Sequence, residues 1–236
     1  MSEPPRAIIW DLDGTLIDSV ADLTTALNRL LAEWGLDKLP AAVVRPMIGD
    51  GAARLVERAF AASGAALASA SLEATVLRFL ELYGERPVDE TRVFEGAVAA
   101  MDQLTRAGWA HGLCTNKPHA ITTDILARLG LDDRISVVVG GDSTPQTKPH
   151  PAPLLSCLRQ MGVACIDAVM IGDSAIDVLA ARAAGVRVII VTFGYSRQPV
   201  HGLGAHAIVE RLDELPAVVA ELQSQSRLEP ATAPIG

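Results

Sequence analysis

Short apolar runs that end in polar or glycine residues recur along this chain. Ala7-Ile8-Ile9-Trp10 runs into Asp11, and Trp109-Ala110-His111-Gly112-Leu113-Cys114 runs into Thr115-Asn116. Ser136-Val137-Val138-Val139 runs into Gly140-Gly141-Asp142, and Ala168-Val169-Met170-Ile171 into Gly172-Asp173. Arg187-Val188-Ile189-Ile190-Val191 ends at Thr192, and Ala207-Ile208-Val209 is a weaker sixth run. Most lack a strict alternation of apolar and polar positions, the pattern of strands buried on both faces of a parallel sheet. Segments of helical period lie between them: Val98 to Arg106, Ala120 to Leu129, Pro151 to Met161 and Ala175 to Ala184. Gly108, Gly130, Gly162 and Gly185 follow these segments, where left-handed C-terminal caps belong. Strand and helix in alternation predict an α/β fold with a doubly wound, Rossmann-like parallel sheet.

One stretch breaks the alternation. Residues 18–90 contain no convincing strand, only helical patterns around Val20–Glu33, Pro40–Met47, Ala52–Ala62 and Leu72–Tyr83. The expectation is a smaller, all-helical cap inserted after the first strand. Residues 1–17 and 91–222 then form the core, and residues 223–236, with Pro230 and Pro234, a flexible tail.

Composition narrows the setting. Half the residues are hydrophobic but only 4% aromatic, so the core must be built from Ala, Val, Leu and Ile. The net charge is -8, with no basic stripe, which speaks against nucleic acid as a partner. An acidic protein that binds an anionic substrate needs a metal and a few local cations to reverse the sign inside its site. Cys114, Cys157 and Cys165 are odd in number and fit no zinc spacing, so they are expected as small buried hydrophobes in a reducing compartment. No apolar run is long enough to span a bilayer, and the N-terminus lacks the build of a signal peptide, so a cytoplasmic location and no membrane partner are expected. Monomer and homodimer both remain open.

Candidate chemistry gathers at strand ends. Ligands in open α/β sheets bind beyond the carboxyl ends of the strands. Asp11 and Asp13 follow the first strand, Thr115 and Asn116 the second, and Lys148 comes shortly after the third. Asp173 follows the fourth, with Asp177 four residues on. Converging carboxylates repel one another, and a hard divalent cation resolves the conflict; Mg2+ suits a phosphate substrate. Lys148 would add a fixed positive charge, and Thr115 and Asn116 could donate to phosphoryl oxygens. A carboxylate nucleophile needs no base to activate it, and Asp13 is placed to protonate a leaving oxygen.

This pattern resembles the haloacid dehalogenase-like hydrolases over nearly the whole chain. Asp11-Leu12-Asp13-Gly14-Thr15-Leu16 resembles their first motif and Thr115-Asn116 the second. Lys148 in Lys148-Pro149-His150-Pro151 resembles the third, and Gly172-Asp173-Ser174-Ala175-Ile176-Asp177 the fourth. The resemblance implies Asp11 as nucleophile and metal ligand, and Asp13 as general acid/base that ligates through its backbone carbonyl. It implies Asp173 as a further ligand, Asp177 at the metal as a supporting or water-mediated contact, Thr115 on the phosphoryl group and Lys148 as orienting cation. Asp13 favours phosphoryl transfer, because members that cleave carbon–halogen bonds generally lack a carboxylate there.

The helical insert looks like a C1-type cap. Gly141 to Leu154, Ile48-Gly49-Asp50-Gly51-Ala52 and Thr192-Phe193-Gly194-Tyr195 look like segments of bacterial phosphoglycolate phosphatases. The expectation is hydrolysis of a small anionic metabolite, 2-phosphoglycolate first. N-acetylmuramate 6-phosphate, another sugar phosphate or pyrophosphate is the alternative; a non-catalytic binding protein on the same fold is the alternative of another class. Gly49, Arg45 and Arg54 around the glycine-rich cap turn are candidate substrate contacts, the arginines for a carboxylate. His111 is expected as a packed histidine, and Trp10 and Trp109 as packing beneath the rim.

Overall fold

The structure, a computed structural model, describes residues 4–228. Strand β1 (Arg6–Trp10) is followed by the two-residue β2 (Ile17–Asp18). Helices α1 (Val20–Glu33), α2 (Ala41–Val44), α3 (Ala52–Ala62) and α4 (Ser69–Glu85) come next, and β3 (Arg92–Val93) returns the chain. Then follow α5 (Ala97–Arg106), β4 (Trp109–Cys114), α6 (His119–Arg128), β5 (Val137–Val139) and α7 (Ala152–Met161). The chain ends with β6 (Ala168–Gly172), α8 (Ala175–Ala183), β7 (Arg187–Val191), β8 (Ala207–Val209) and α9 (Leu215–Leu228). Among the described residues, six strands form a parallel sheet in the order β5-β4-β1-β6-β7-β8. The chain winds from β1 out to β5 on one side and from β6 out to β8 on the other, so the strand order reverses beside β1.

The missing alternation in the strands has its cause in the packing. Ile8, Trp10, Val169, Ile171, Ile189 and Val191 enter the apolar core on one face. Their neighbours Ala7, Ile9, Ala168, Met170, Val188 and Ile190 enter the core on the other. Side chains of a strand point alternately to its two faces, so with both faces dry every position is apolar. His111 is the buried exception: Trp10 Nε1 donates to its Nδ1 at 3.1 Å, and its Nε2 meets Thr105 Oγ1 and the Met101 carbonyl at 3.0 and 3.1 Å. Burial keeps its pKa below the ordinary histidine value, so it packs as the neutral ring. Cys114 and Cys157 are buried free thiols, both pushed up to about 12 by burial. No described helix is long and apolar enough to cross a membrane.

Helices α1–α4 occupy the stretch where strands were not expected, and they rejoin the core through a short ribbon. Ile17 pairs with Val93 and Asp18 with Arg92, antiparallel. A ribbon of two residues per strand is too short to leave a periodic signal. Beside it the buried Asp22 of α1 accepts hydrogen bonds from the backbone N–H groups of Asp89, Glu90 and Thr91 and from Thr91 Oγ1, fixing the return path. Two expectations need correction. The helix expected over Pro40–Met47 changes after Val44 to a tighter turn over Arg45–Met47, because Pro46 has no N–H to continue the α-helical pattern. The tail expected from residue 223 begins too early: α9 runs to Leu228, its inner face anchored by Leu215, Val219 and Leu222 in the core. The remainder of that expected tail, residues 229–236, lies outside the described residues.

Candidate active site

Pairing of β1 with β4 on one edge and β6 on the other brings three strand ends side by side. Asp11, Thr115 and Asp173 all leave the sheet there. The Asp11 N–H donates to the Ile171 carbonyl at 2.8 Å, which ties the first loop to β6. Gly14 then turns the chain at φ +84°, where a Cβ would lie 3.0 Å from the Tyr195 ring and against the Asp173 carboxylate. Only glycine allows this turn to fold so closely. Tyr195 closes the far side: its N–H donates to Asp173 Oδ2 at 2.5 Å and its hydroxyl to Asp18 at 2.6 Å.

Asp11, Asp173 and Asp177 are buried, and each offers an oxygen within 4.8 Å of the others. Lys148 Nζ donates to Asp11 Oδ1 and to Asp177 Oδ1, each at 2.7 Å. Three carboxylates against one ammonium leave a formal charge of about -2 in a site of low dielectric. Burial foremost pushes the Asp11 carboxyl up to about 7; Lys148 opposes this, while Asp177 and Asp13 add to it. Asp173 is raised well above the carboxylate range by burial, Asp177 and Asp11. Burial works against the Lys148 ammonium, but Asp11 and Asp177 outweigh it and hold its pKa above the ordinary lysine value. Hard oxygen donors with about two uncompensated negative charges are the donor set of a divalent cation, and Mg2+ fits it.

Asp177 has a second occupation. It stands at the third position of α8 in a capping box with Ser174, and its Oδ2 accepts from the backbone of Asp173 and Ser174 and from Ser174 Oγ at 2.8 Å. It therefore aligns Lys148 and starts the helix in addition to standing beside Asp11 and Asp173. The acceptor contacts of Asp13 fall on Oδ1, from Ser19 Oγ at 2.5 Å and Lys117 Nζ at 2.9 Å. Thr115 lines the cavity in front of Asp11.

Several expected substrate contacts are otherwise engaged. Asn116 does not offer its amide to a ligand: Nδ2 donates to the carbonyls of Lys148 and Gly49 at 2.9 and 3.1 Å, and Oδ1 accepts the Lys148 N–H at 2.9 Å. It brackets the lysine backbone and ties the cap turn to the core. Gly49 does line the cavity between cap and core. Arg45 donates to the carbonyls of Phe193 and Gly194 and packs over the Tyr195 ring, so it joins cap to core without entering the cavity. Arg54 is 66% exposed and pairs with Glu57 on the surface, and it is not among the residues that line the cavity.

Sequence reasoning missed two groups. Lys117 is buried and gives its Nζ to Asp13 and, at 2.7 Å, to the hydroxyl of Tyr83 on α4. Burial opposes its charge, but Asp13 and Tyr83 overcome it and hold the ammonium above the ordinary lysine value. Lys117 had a signal: it precedes a proline just after a strand, as Lys148 does near the next strand end. Tyr83 had none, because an aromatic in a helical stripe reads as core. Together with Leu23, Ile48, Leu55 and Phe79 they wall the cavity that opens onto Asp11 and Asp13.

The arrangement can present a carboxylate to an electrophile beside a lysine and a divalent cation, with a second carboxylate poised over the leaving side. Comparison with known proteins gives the same direction. The family model described as haloacid dehalogenase-like hydrolase matches residues 8–191. A phosphoglycolate phosphatase of Rhodospirillum rubrum is 46% identical over 210 residues, covering 87% of each chain. One of Caulobacter vibrioides is 41% identical over 209 residues, covering 89% of this chain and 88% of its own. A crystal structure described as a predicted phosphoglycolate phosphatase from Haemophilus somnus superposes with a TM-score of 0.85 at 29% identity, over 91% of this chain and 98% of the other.

Proposed function

The chain belongs to the haloacid dehalogenase-like hydrolases, and from that footing we propose that it is a Mg2+-dependent phosphatase hydrolysing 2-phosphoglycolate to glycolate and phosphate. The observation that carries this reading is the buried group of Asp11, Asp173, Asp177 and Lys148, short of about two positive charges and opening onto a small cavity. The cation, held by Asp11, Asp173 and the backbone carbonyl of Asp13 with Asp177 in support, would screen charge on the phosphoryl oxygens.

Asp11 attacks phosphorus as the ester bond to glycolate breaks, and the electron pair of that bond leaves on the glycolate oxygen. Lys148, fixed on Asp11 Oδ1, leaves Oδ2 as the attacking atom and lowers repulsion from the incoming anion. Asp13 gives its proton to the departing oxygen. In the second half Asp13 takes a proton from water, whose oxygen attacks the aspartyl phosphate and returns Asp11 as a carboxylate. Thr115 steadies the phosphoryl group, and the cap helices exclude bulk water. Buried free thiols support a reducing, cytoplasmic setting.

The test is a screen of small phosphate esters with purified protein and Mg2+. Phosphoglycolate should be preferred to unrelated esters, and equal rates on all of them would remove the substrate assignment. Asp11→Asn should abolish turnover; substantial residual activity would sink its role as nucleophile.

A further inference from the structure

Phosphoglycolate carries two anionic ends, and the Asp11 site accounts for one. The half that departs is glycolate itself, so the carboxylate leaves on the side of the cavity where Asp13 delivers its proton. The group that adjoins Asp13 there is Lys117, 2.9 Å from its Oδ1. Among the described residues lining this cavity Lys117 is the only cation; its other named neighbours include Leu55 and Phe79 of the cap. Arg45 and Arg54 are committed elsewhere.

Resting on the reading of the substrate as a phosphorylated hydroxy acid, we infer that Lys117, held by Tyr83, is the residue that recognises the substrate carboxylate. The ammonium is built into place. Tyr83 Oη accepts from it at 2.7 Å, and Nζ lies 4.6 Å from the Tyr83 ring centre, a cation–π contact. Tyr83 is itself 1% exposed and stacks on Phe79 of the same helix. An ammonium so ordered costs little further side-chain entropy when a ligand arrives. Because Lys117 comes from the core and Tyr83 from α4, the carboxylate pocket exists only with the cap seated. An uncharged leaving group would add no second anion to the ammonium that Asp13 and Tyr83 already hold, whereas glycolate brings one.

The test compares phosphoglycolate with ethyl phosphate, which has a leaving group of similar size without the carboxylate. In Lys117→Met the ratio of kcat/KM for the two esters should fall about a hundredfold or more, the range for truncating one partner of a buried charge pair. Glycolate should also weaken as a product inhibitor by a similar factor. If both esters lose rate equally and the ratio stands, Lys117 acts only through Asp13 or the fold, and the inference is overturned. Should Lys117→Met fail to fold, Tyr83→Phe keeps the ring and removes the anchoring oxygen; its ratio should fall about threefold to tenfold, and an unchanged ratio overturns the inference equally. A wild-type enzyme with no preference for phosphoglycolate ends the substrate assignment as well. A preference that survives in the variants ends this inference alone.

Discussion

Asn116 and Lys148 show how one site divides its labour between neighbouring residues. Lys148 carries the charge, and Asn116 holds the backbone from which that charge projects. Lys148→Met should leave the buried Asp11 and Asp177 carboxylates without their ammonium, a defect worth about 3–5 kcal/mol of stability in metal-free protein. Urea unfolding measures it, and turnover should fall by about a hundredfold to a thousandfold, as for other charge-stabilising donors. Asn116→Ala removes hydrogen bonds but no charge. It should cost about 1–3 kcal/mol and lower kcat far less than Lys148→Met does. An Asn116→Ala enzyme as impaired as Lys148→Met would show that the amide meets the phosphoryl group directly.

At the scale of elements, the seam between cap and core is stitched by contacts of unequal weight. Asp50, in the glycine-rich cap turn, pairs with Arg58 of α3 and with Arg197 of the loop after β7. Arg197 is 44% exposed, so such pairs contribute about 1 kcal/mol or less. Asp50→Asn should therefore raise KM only a few-fold, with kcat nearly intact, in steady-state kinetics. The turn at Gly14 is less forgiving. Gly14→Ala forces a left-handed backbone on alanine and drives its methyl into Asp173. It should lower the apparent affinity for Mg2+ at least tenfold, measured by titrating activity against the cation; unchanged affinity would mean that Asp173 stands clear of the metal.

For the whole molecule, the crowded carboxylates link stability to pH. The Asp11 carboxyl titrates near 4 unfolded and is pushed up to about 7 in the folded, metal-free protein. Between those values the native state holds more protons than the unfolded state, so this group's contribution declines as pH rises and is smallest above about 7. A cation that neutralises the site should restore what was lost. The rise in Tm on adding Mg2+ should therefore be larger near pH 8 than near pH 6. Buried His111 moves the other way, losing stability as pH falls through about 6.5, but it is not one of the clustered carboxylates, and its contribution is common to the protein with and without Mg2+. Thermal unfolding with and without Mg2+ at the two pH values decides the matter, and equal shifts would contradict the assignment of a cation to this group.

The order of strands and helices, and the gathering of Asp11, Asp13, Thr115, Lys148 and Asp173, were legible in the sequence. Strands dry on both faces must be apolar throughout, and in an open α/β sheet the residues after them meet at one rim. Those constraints act on consecutive residues, so a linear pattern records them. What Asn116, Arg45 and Arg54 do was decided by the tertiary structure, because a polar side chain can serve a ligand or the backbone and only distance chooses. The ribbon of β2 and β3 and the contact of Lys117 with Tyr83 join residues far apart in the chain. Neither end of such a pair carries a periodic mark of the other. The sequence thus determined that a carboxylate stands ready at Asp11; the seating of the cap decided that Lys117 is held between Tyr83 and Asp13, because that contact needs both parts of the fold in place.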